Sequence, residues 1–288
     1  GLYTSDYIRY LADDPHVRVI VCFIESIRNA GEFRSACEHA CRAGKPVVAL
    51  KIGGSEESRR AALAHTGRLA GVDRTYDAIF REFAAIRVYS TEELLDVSLQ
   101  LASLKPGQLP AGERMLVSTF GGGSGVICTD QCVRDGLTVP VLSEETRGKV
   151  GPLLSPLSST ANPVDMTPGV MSNPKLRSKL PEALGVLADA PDTDNWLFLS
   201  AGFGELAPEL IAIVEGLRER SAKPLSVTWQ SPPDGVIERF AKGGVYVFTE
   251  HARAVRAMGH LVRYAADLRH AIRQISSNAA MFPWHEFV

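Results

Sequence analysis

Pro46-Val47-Val48-Ala49-Leu50 followed by Lys51-Ile52-Gly53-Gly54-Ser55 is the stretch that decides the fold. The apolar run has no polar alternation, so it reads as a strand covered on both faces, as in a parallel sheet. It empties into a glycine- and hydroxyl-rich segment that runs through residues 56–63 to Ala64-His65-Thr66-Gly67-Arg68-Leu69-Ala70-Gly71-Val72-Asp73. An imidazole changes charge near neutral pH and also serves as a nucleophile. Glycine amides that no side chain shields are suited to holding an anion beside it.

Outward from this stretch, strand and helix patterns alternate. Residues 5–12 read as a helix, 17–24 as an apolar strand, 30–42 as a helix ending at Gly44, and 73–84 as another helix. A short strand at 86–88 and a helix at 91–104, capped by Ser90 or Thr91, close the first half. The Pro- and Gly-bearing segment 105–113 reads as a linker. The pattern then restarts with a strand at 115–119, the turn Gly121-Gly122-Gly123-Ser124-Gly125 and a helix to about Asp135. A helix near 143–150 and a Pro/Ser-rich loop through Pro163 follow. Strands at 196–200, 225–229 and 245–248 then alternate with helices at 208–220, 234–242 and 252–274. The fold class expected is therefore α/β, with two flavodoxin-like, doubly wound parallel-sheet domains at 1–107 and 108–288. The first offers only three clear strands, so it reads as short of an opening strand and helix, and the chain as part of something longer.

Composition excludes several functions. Over 288 residues the formal net charge is −2, which gives no footprint for nucleic acid or an anionic membrane. Apolar runs fall far short of the ~20 residues of a membrane helix, and no secretory signal is visible. The five cysteines, Cys22, Cys37, Cys41, Cys128 and Cys132, form an odd set with helical four-residue spacings. They read as buried thiols in a cytoplasmic, metal-free protein.

In open parallel sheets ligands gather beyond the carboxyl ends of the strands, where helix N-termini point free N–H groups. The candidates at such ends are Gly53, Gly54 and Ser55, the run with Gly122 and Gly123, and Gly202 with Gly204 in Ala201-Gly202-Phe203-Gly204-Glu205. None fits the G-x-x-x-x-G-K-[ST] phosphate loop or a clean dinucleotide fingerprint. Glu25 ends the strand before Ser26-Ile27-Arg28, on the rim expected for the His65 loop, where its carboxylate could fix the imidazole tautomer. Asp165 either lines a cleft or caps a turn. His39, His251, His260 and His270 fall on predicted helices, and His16 and His285 near turns.

The segment Lys51-x-Gly53-x-Ser55 through Ala61-Ala62-x-x-His65-Thr66-Gly67-x-Leu69-Ala70-Gly71-x-Asp73 resembles the phosphohistidine segment of ADP-forming acyl-CoA synthetases, the acetate–CoA ligases of the succinyl-CoA synthetase superfamily. Glu25-Ser26-Ile27, Gly121–Gly125, Leu142-Ser143-Glu144-Glu145-Thr146, Asn162-Pro163-Val164-Asp165-Met166-Thr167 and Phe282-Pro283-Trp284 resemble other landmarks of those chains, in the same order. One departure is Ala64, where the family usually has Ser.

The resemblance implies a ligase that interconverts acyl-CoA, ADP and phosphate with a carboxylic acid, ATP and CoA. An acyl phosphate would pass its phosphoryl group to His65, oriented by Glu25. Gly53, Gly54, Ser55, Thr66 and Gly67 would hold the phosphate from one side. The facing helix end would be Gly202–Glu205, or alternatively Gly122–Gly125. CoA, ATP or ADP and magnesium would be held mainly by a CoA-binding domain and an ATP-grasp domain, in a longer chain or a separate subunit. The remaining partner would be a small carboxylic acid or its acyl-CoA, and a homo-oligomer is compatible with the reading. Two other readings stay open: a non-catalytic regulatory or scaffold module with this fold, and an FMN-binding flavodoxin-like protein.

Overall fold

A computed structural model describes residues 1–58, 60, 64 and 73–278. The chain divides into two compact units, Gly1–Ala102 with Arg263–Val288, and Ser103–Val262. This differs from a single division between 107 and 108. The long closing helix is shared, because its sequence is uniformly helical and carries no mark at Arg263 where packing changes.

In the first unit α1 (Thr4–Asp13) buries Ser5, Ile8 and Ala12, a one-sided helical spacing. Strand β1 (Ile20–Ile24) follows, then α2 (Ala30–Arg42). Asn29 caps α2 by accepting from the Gly31 and Glu32 amides at 3.0 and 3.2 Å. Its buried face is Phe33, Ala36, Cys37, Ala40 and Cys41. After β2 (Val47–Lys51) come α3 (Asp73–Glu82), β3 (Ile86–Val88) and α4 (Thr91–Ser103). Ser90 rather than Thr91 caps α4: its Oγ accepts from the Glu93 amide at 3.1 Å, while the Glu93 carboxylate accepts from the Tyr89 amide at 2.9 Å.

The sheet is parallel in the order β1-β2-β3. Every residue of the central β2 is buried, as its apolar run requires. The edge strand β1 departs from expectation. It begins at Ile20 rather than Val17, and only Ile20, Cys22 and Ile24 face the core. Val21 and Phe23 are 48% and 57% exposed, so apolar character on both faces of this strand does not mean that both are covered.

The second unit has five parallel strands: β4 (Met115–Thr119), β5 (Val164–Asp165), β6 (Asn195–Ala201), β7 (Leu225–Gln230) and β8 (Val247–Phe248), in the order β5-β4-β6-β7-β8. In chain order that is 2-1-3-4-5, the flavodoxin-like winding, with its topological switch between β4 and β6. Helix α5 (Gly122–Arg134) follows β4, and α6 (Glu144–Val150) comes next. The short helices α7 (Gly169–Ser172), α8 (Pro174–Arg177) and α9 (Leu180–Ala188) lie between β5 and β6. Neither they nor the two-residue β5 has enough periodicity to be expected from sequence. Helices α10 (Ala207–Arg220) and α11 (Val236–Lys242) flank β7, and α12 (His251–Asn278) closes the chain.

Trp196, Phe198 and Trp229 are fully buried in this core, each contributing about 1.5–3 kcal/mol through lost apolar surface. The Trp196 indole N–H donates to Ser118 Oγ at 2.7 Å, so the polar end of that side chain is satisfied. Among the described residues no helix is long and apolar enough to cross a membrane.

Candidate functional site

Two strand-end rims carry the residues singled out by sequence. In the first unit Ile24 pairs in register with Lys51, so the chain leaves both strands at the same height. The Ile52 amide still donates to the Ile24 carbonyl at 3.0 Å. Glu25, half-buried, and Gly53, buried at φ +80°, therefore emerge on one rim. Gly54 and Ser55 are exposed. The Ser55 hydroxyl accepts from the Ser58 amide at 3.1 Å and the Ser55 amide donates to Ser58 Oγ at 3.0 Å, so Ser55 caps the helical turn that starts at Glu56. His65, Thr66 and Gly67 lie outside the described residues.

The sequence reading missed a clamp beneath this rim. Lys51 is 4% exposed; its ammonium donates to the Ile52 carbonyl and lies 4.7 Å from the centre of the Tyr76 ring. The Tyr76 hydroxyl in turn accepts from the Ile27 amide at 3.1 Å. One aromatic residue on α3 thus ties together the exits of β1 and β2. A charged residue closing an otherwise apolar strand was the available signal.

In the second unit a cavity of about 390 Å³ opens at the switch point between β4 and β6. Thr119, Gly121, Ser124, Ser200, Phe203 and His251 line it. Helix α5 starts at its mouth with Gly121 as an N-cap that has no side chain to accept from the first turn, so the first amides point outward. The glycines differ in purpose. A Cβ on Gly122 would lie 2.9 Å from Asp165 Oδ2, and one on Gly125 3.0 Å from Pro163 Cβ, whereas Gly123 has open space. Asp165 takes the turn-capping alternative, with Oδ1 accepting from the Thr167 amide at 2.9 Å.

Gly202 and Gly204 adopt φ +63° and +37°. The Gly202 carbonyl accepts from the Trp229 indole at 3.0 Å, and Gly204 opens a single 3-10 turn, Gly204–Leu206, ahead of α10. This loop therefore meets the cavity through Ala201 and Phe203, and α5 is the helix that starts directly on it.

His251 needs correction, since the sequence treats it as one more helical histidine. It is 4% exposed, its ring bonds Thr228 Oγ1 through Nδ1 at 2.9 Å, and burial lowers its pKa below the ordinary value against a smaller opposing pull from Glu250. Among the described residues, its Nε2 and the Ser200 hydroxyl have no hydrogen-bond partner. The signal was its position three residues after the end of β8. The cysteines are all buried, unbridged thiols. Among the described residues no group of His, Cys, Asp and Glu could hold a metal.

Residues 2–101 match the model of the succinyl-CoA ligase like flavodoxin domain. This part of the chain is similar to that domain. The Lys51–Tyr76 clamp and the glycine rim fall within the matched residues. Along the whole chain, 28% identity over 268 residues links it to the alpha subunit of an ADP-forming acetate–CoA ligase I of Pyrococcus furiosus, covering 91% of this chain and 55% of that one. An ADP-forming acetate–CoA ligase I of Archaeoglobus fulgidus is 30% identical over 262 residues, covering 91% of this chain and 36% of the relative. The chain therefore spans between about a third and just over half of these relatives. A dinucleotide-forming acetyl-coenzyme A synthetase 1 of Candidatus Korarchaeum cryptofilum, solved with phosphate and ADP, has the same fold: TM-score 0.81, 24% identity, 97% of this chain and 59% of that one.

Proposed function

We propose that the chain is the central, phosphoryl-carrying portion of an ADP-forming acyl-CoA ligase. The observation that carries the reading is the succinyl-CoA-ligase-like domain whose strand-end rim holds Glu25 and Gly53 and leads into the Ala64-His65-Thr66-Gly67 segment. Similarity to ligases over nine-tenths of the chain supports it.

In the forward direction phosphate displaces CoA from the acyl-CoA and leaves an acyl phosphate. An imidazole nitrogen of His65 attacks that phosphorus, the P–O bond to the acyl group breaks, and the carboxylate departs. ADP then takes the phosphoryl group from His65 to give ATP. Splitting the transfer this way requires a nucleophile with a near-neutral pKa. Glu25 orients the ring, and Gly53, Gly54, Ser55, Thr66 and Gly67 supply amides and hydroxyls to the phosphate. Helix α5, with Gly122 and Gly123, offers the stronger second anion-facing end than Gly202 and Gly204, because it is a full helix that starts without a capping side chain. A CoA-binding domain and an ATP-grasp domain, in the same longer chain or in a second subunit, would bring CoA and the magnesium nucleotide in the cytoplasm.

The test is phosphorylation of the full chain, together with its nucleotide-binding partner domain, by [γ-32P]ATP and magnesium. Acid-labile, base-stable label that disappears in His65→Ala is expected. Absence of label, or its survival in that variant, overturns the reading.

A further inference from the structure

Both strand exits that lead to the candidate phosphoryl site are tied to one residue of α3. Tyr76 stands in the first turn of that helix, and its hydroxyl accepts from the Ile27 amide at 3.1 Å, just beyond Glu25. The ring of the same residue lies 4.7 Å from the Lys51 ammonium, which donates to the Ile52 carbonyl immediately before Gly53. His65 falls in the sequence between Lys51 and Tyr76. The pair therefore joins the two ends of the chain that carries His65, while the hydroxyl holds the exit that carries Glu25.

Tyr76 is held firmly. It is 5% exposed, its ring centre lies 6.4 Å from that of Phe80, and Phe80 meets the fully buried Phe33 of α2 edge-on at 6.0 Å. A packed aromatic row of this kind leaves the hydroxyl little freedom to move. Lys51 is the costly member. Its buried ammonium gives up hydration that an apolar residue closing the run Val47–Leu50 would not lose. A buried charge is weak evidence of stability, and its better-attested use is to hold one geometry against others. Here the geometry held is the spacing between the exits of β1 and β2.

We propose that Lys51 and Tyr76 are positioning residues for phosphoryl transfer at His65. They act through the backbone at Ile27 and Ile52. That backbone sets Glu25 against the chain that carries His65, so that the carboxylate holds the imidazole in one tautomer. The proposal rests on the ligase reading and adds to it the device that keeps the orienting residue and the nucleophile in register.

The experiment uses the full chain with its nucleotide-binding partner domain. It reads the single-turnover rate of His65 labelling by [γ-32P]ATP, and the tautomer ratio of the His65 ring by nitrogen NMR, the signals being identified by their loss in His65→Ala. Tyr76→Phe removes one oxygen and keeps the ring, Lys51→Met removes the charge and keeps the length, and Lys51→Arg keeps a cation. In the first two, the rate at saturating ATP is expected to fall roughly tenfold or more with little change in the half-saturating ATP concentration. The single tautomer of the wild type is expected to become a mixture. Lys51→Arg is expected to retain more of the rate than Lys51→Met. Should Lys51→Met fail to fold, Tyr76→Phe carries the test. Wild-type rate and tautomer ratio in Tyr76→Phe overturn the proposal. A slower rate with the wild-type tautomer ratio overturns it as well, since that is the mark of a merely structural role. Either result alongside labelled wild type leaves the ligase reading standing. Wild type that takes no label overturns the ligase reading and this proposal together.

Discussion

The Asn162 side chain serves as a missing length of strand for Val117: its Oδ1 accepts from the Val117 amide at 2.9 Å, and its Nδ2 donates to the Met115 carbonyl at 2.9 Å. The same amide nitrogen also donates to the Pro140 carbonyl at 2.8 Å. Strand β5 begins only at Val164, so the upstream half of β4 would otherwise face a strand that is not there. The Asn162-Pro163-Val164-Asp165 motif noted in the sequence is in this respect structural.

Asn162→Ala should therefore destabilise the second unit by about 2–4 kcal/mol, since it leaves buried backbone groups of β4 unpaired. Urea unfolding followed by tryptophan fluorescence measures this, because Trp196 and Trp229 are buried in that unit. A loss below half a kcal/mol would show that water replaces the side chain without penalty.

The glycines of the α5 turn should separate by substitution. Gly125→Ala places a methyl group 3.0 Å from Pro163 Cβ and 3.3 Å from Thr119 Cγ2, and should cost about 1–3 kcal/mol. Gly123→Ala meets nothing within 4 Å and should stabilise by up to about 1 kcal/mol through helix propensity. Melting temperatures of the two variants should move in opposite directions.

His251 should make the second unit sensitive to acid. Its folded pKa lies below the unfolded value of about 6.5, so below that pH the unfolded chain binds a proton that the folded chain refuses. Stability is lost as pH falls through about 6.5 and the loss levels off below the folded pKa. Comparing the pH dependence of unfolding in wild type and His251→Phe isolates this slope. An unchanged slope would place His251 among ordinarily titrating residues.

The thiols should be silent in the folded protein. Burial pushes Cys22 and Cys41 up to about 11, and Cys37, Cys128 and Cys132 up to about 12. At pH 8 Ellman's reagent should find essentially no reactive thiol before denaturation and five after it. One fast-reacting native cysteine would contradict the burial.

Most helices and the longer strands were legible because hydrophobic periodicity and capping chemistry are local. Ser90, Asn29 and Gly44 mark helix ends through bonds that span a few residues. Strand β5 was not legible, since two residues have no period and the pairing with β4 depends on Asn162, well away in sequence from Val117. The exposure of Val21 and Phe23 was likewise hidden: a strand's neighbours, and not its composition, decide which face is covered.

The candidate site divides in the same way. Sequence alone singled out Glu25, the Gly53–Ser55 turn and the His65 segment as candidates, because residue type and order along the chain resemble the phosphohistidine segment of ADP-forming acyl-CoA synthetases; that they carry a phosphoryl group is the function proposed above. Only the tertiary structure decided that Lys51 and Tyr76 lock the two strand exits together. It alone also brought His251, from the start of the last helix, to the same cavity as Ser200 and Gly121. Those residues lie 51 and more positions apart in the chain, and they meet because parallel strands all deliver their carboxyl ends to one edge of the sheet.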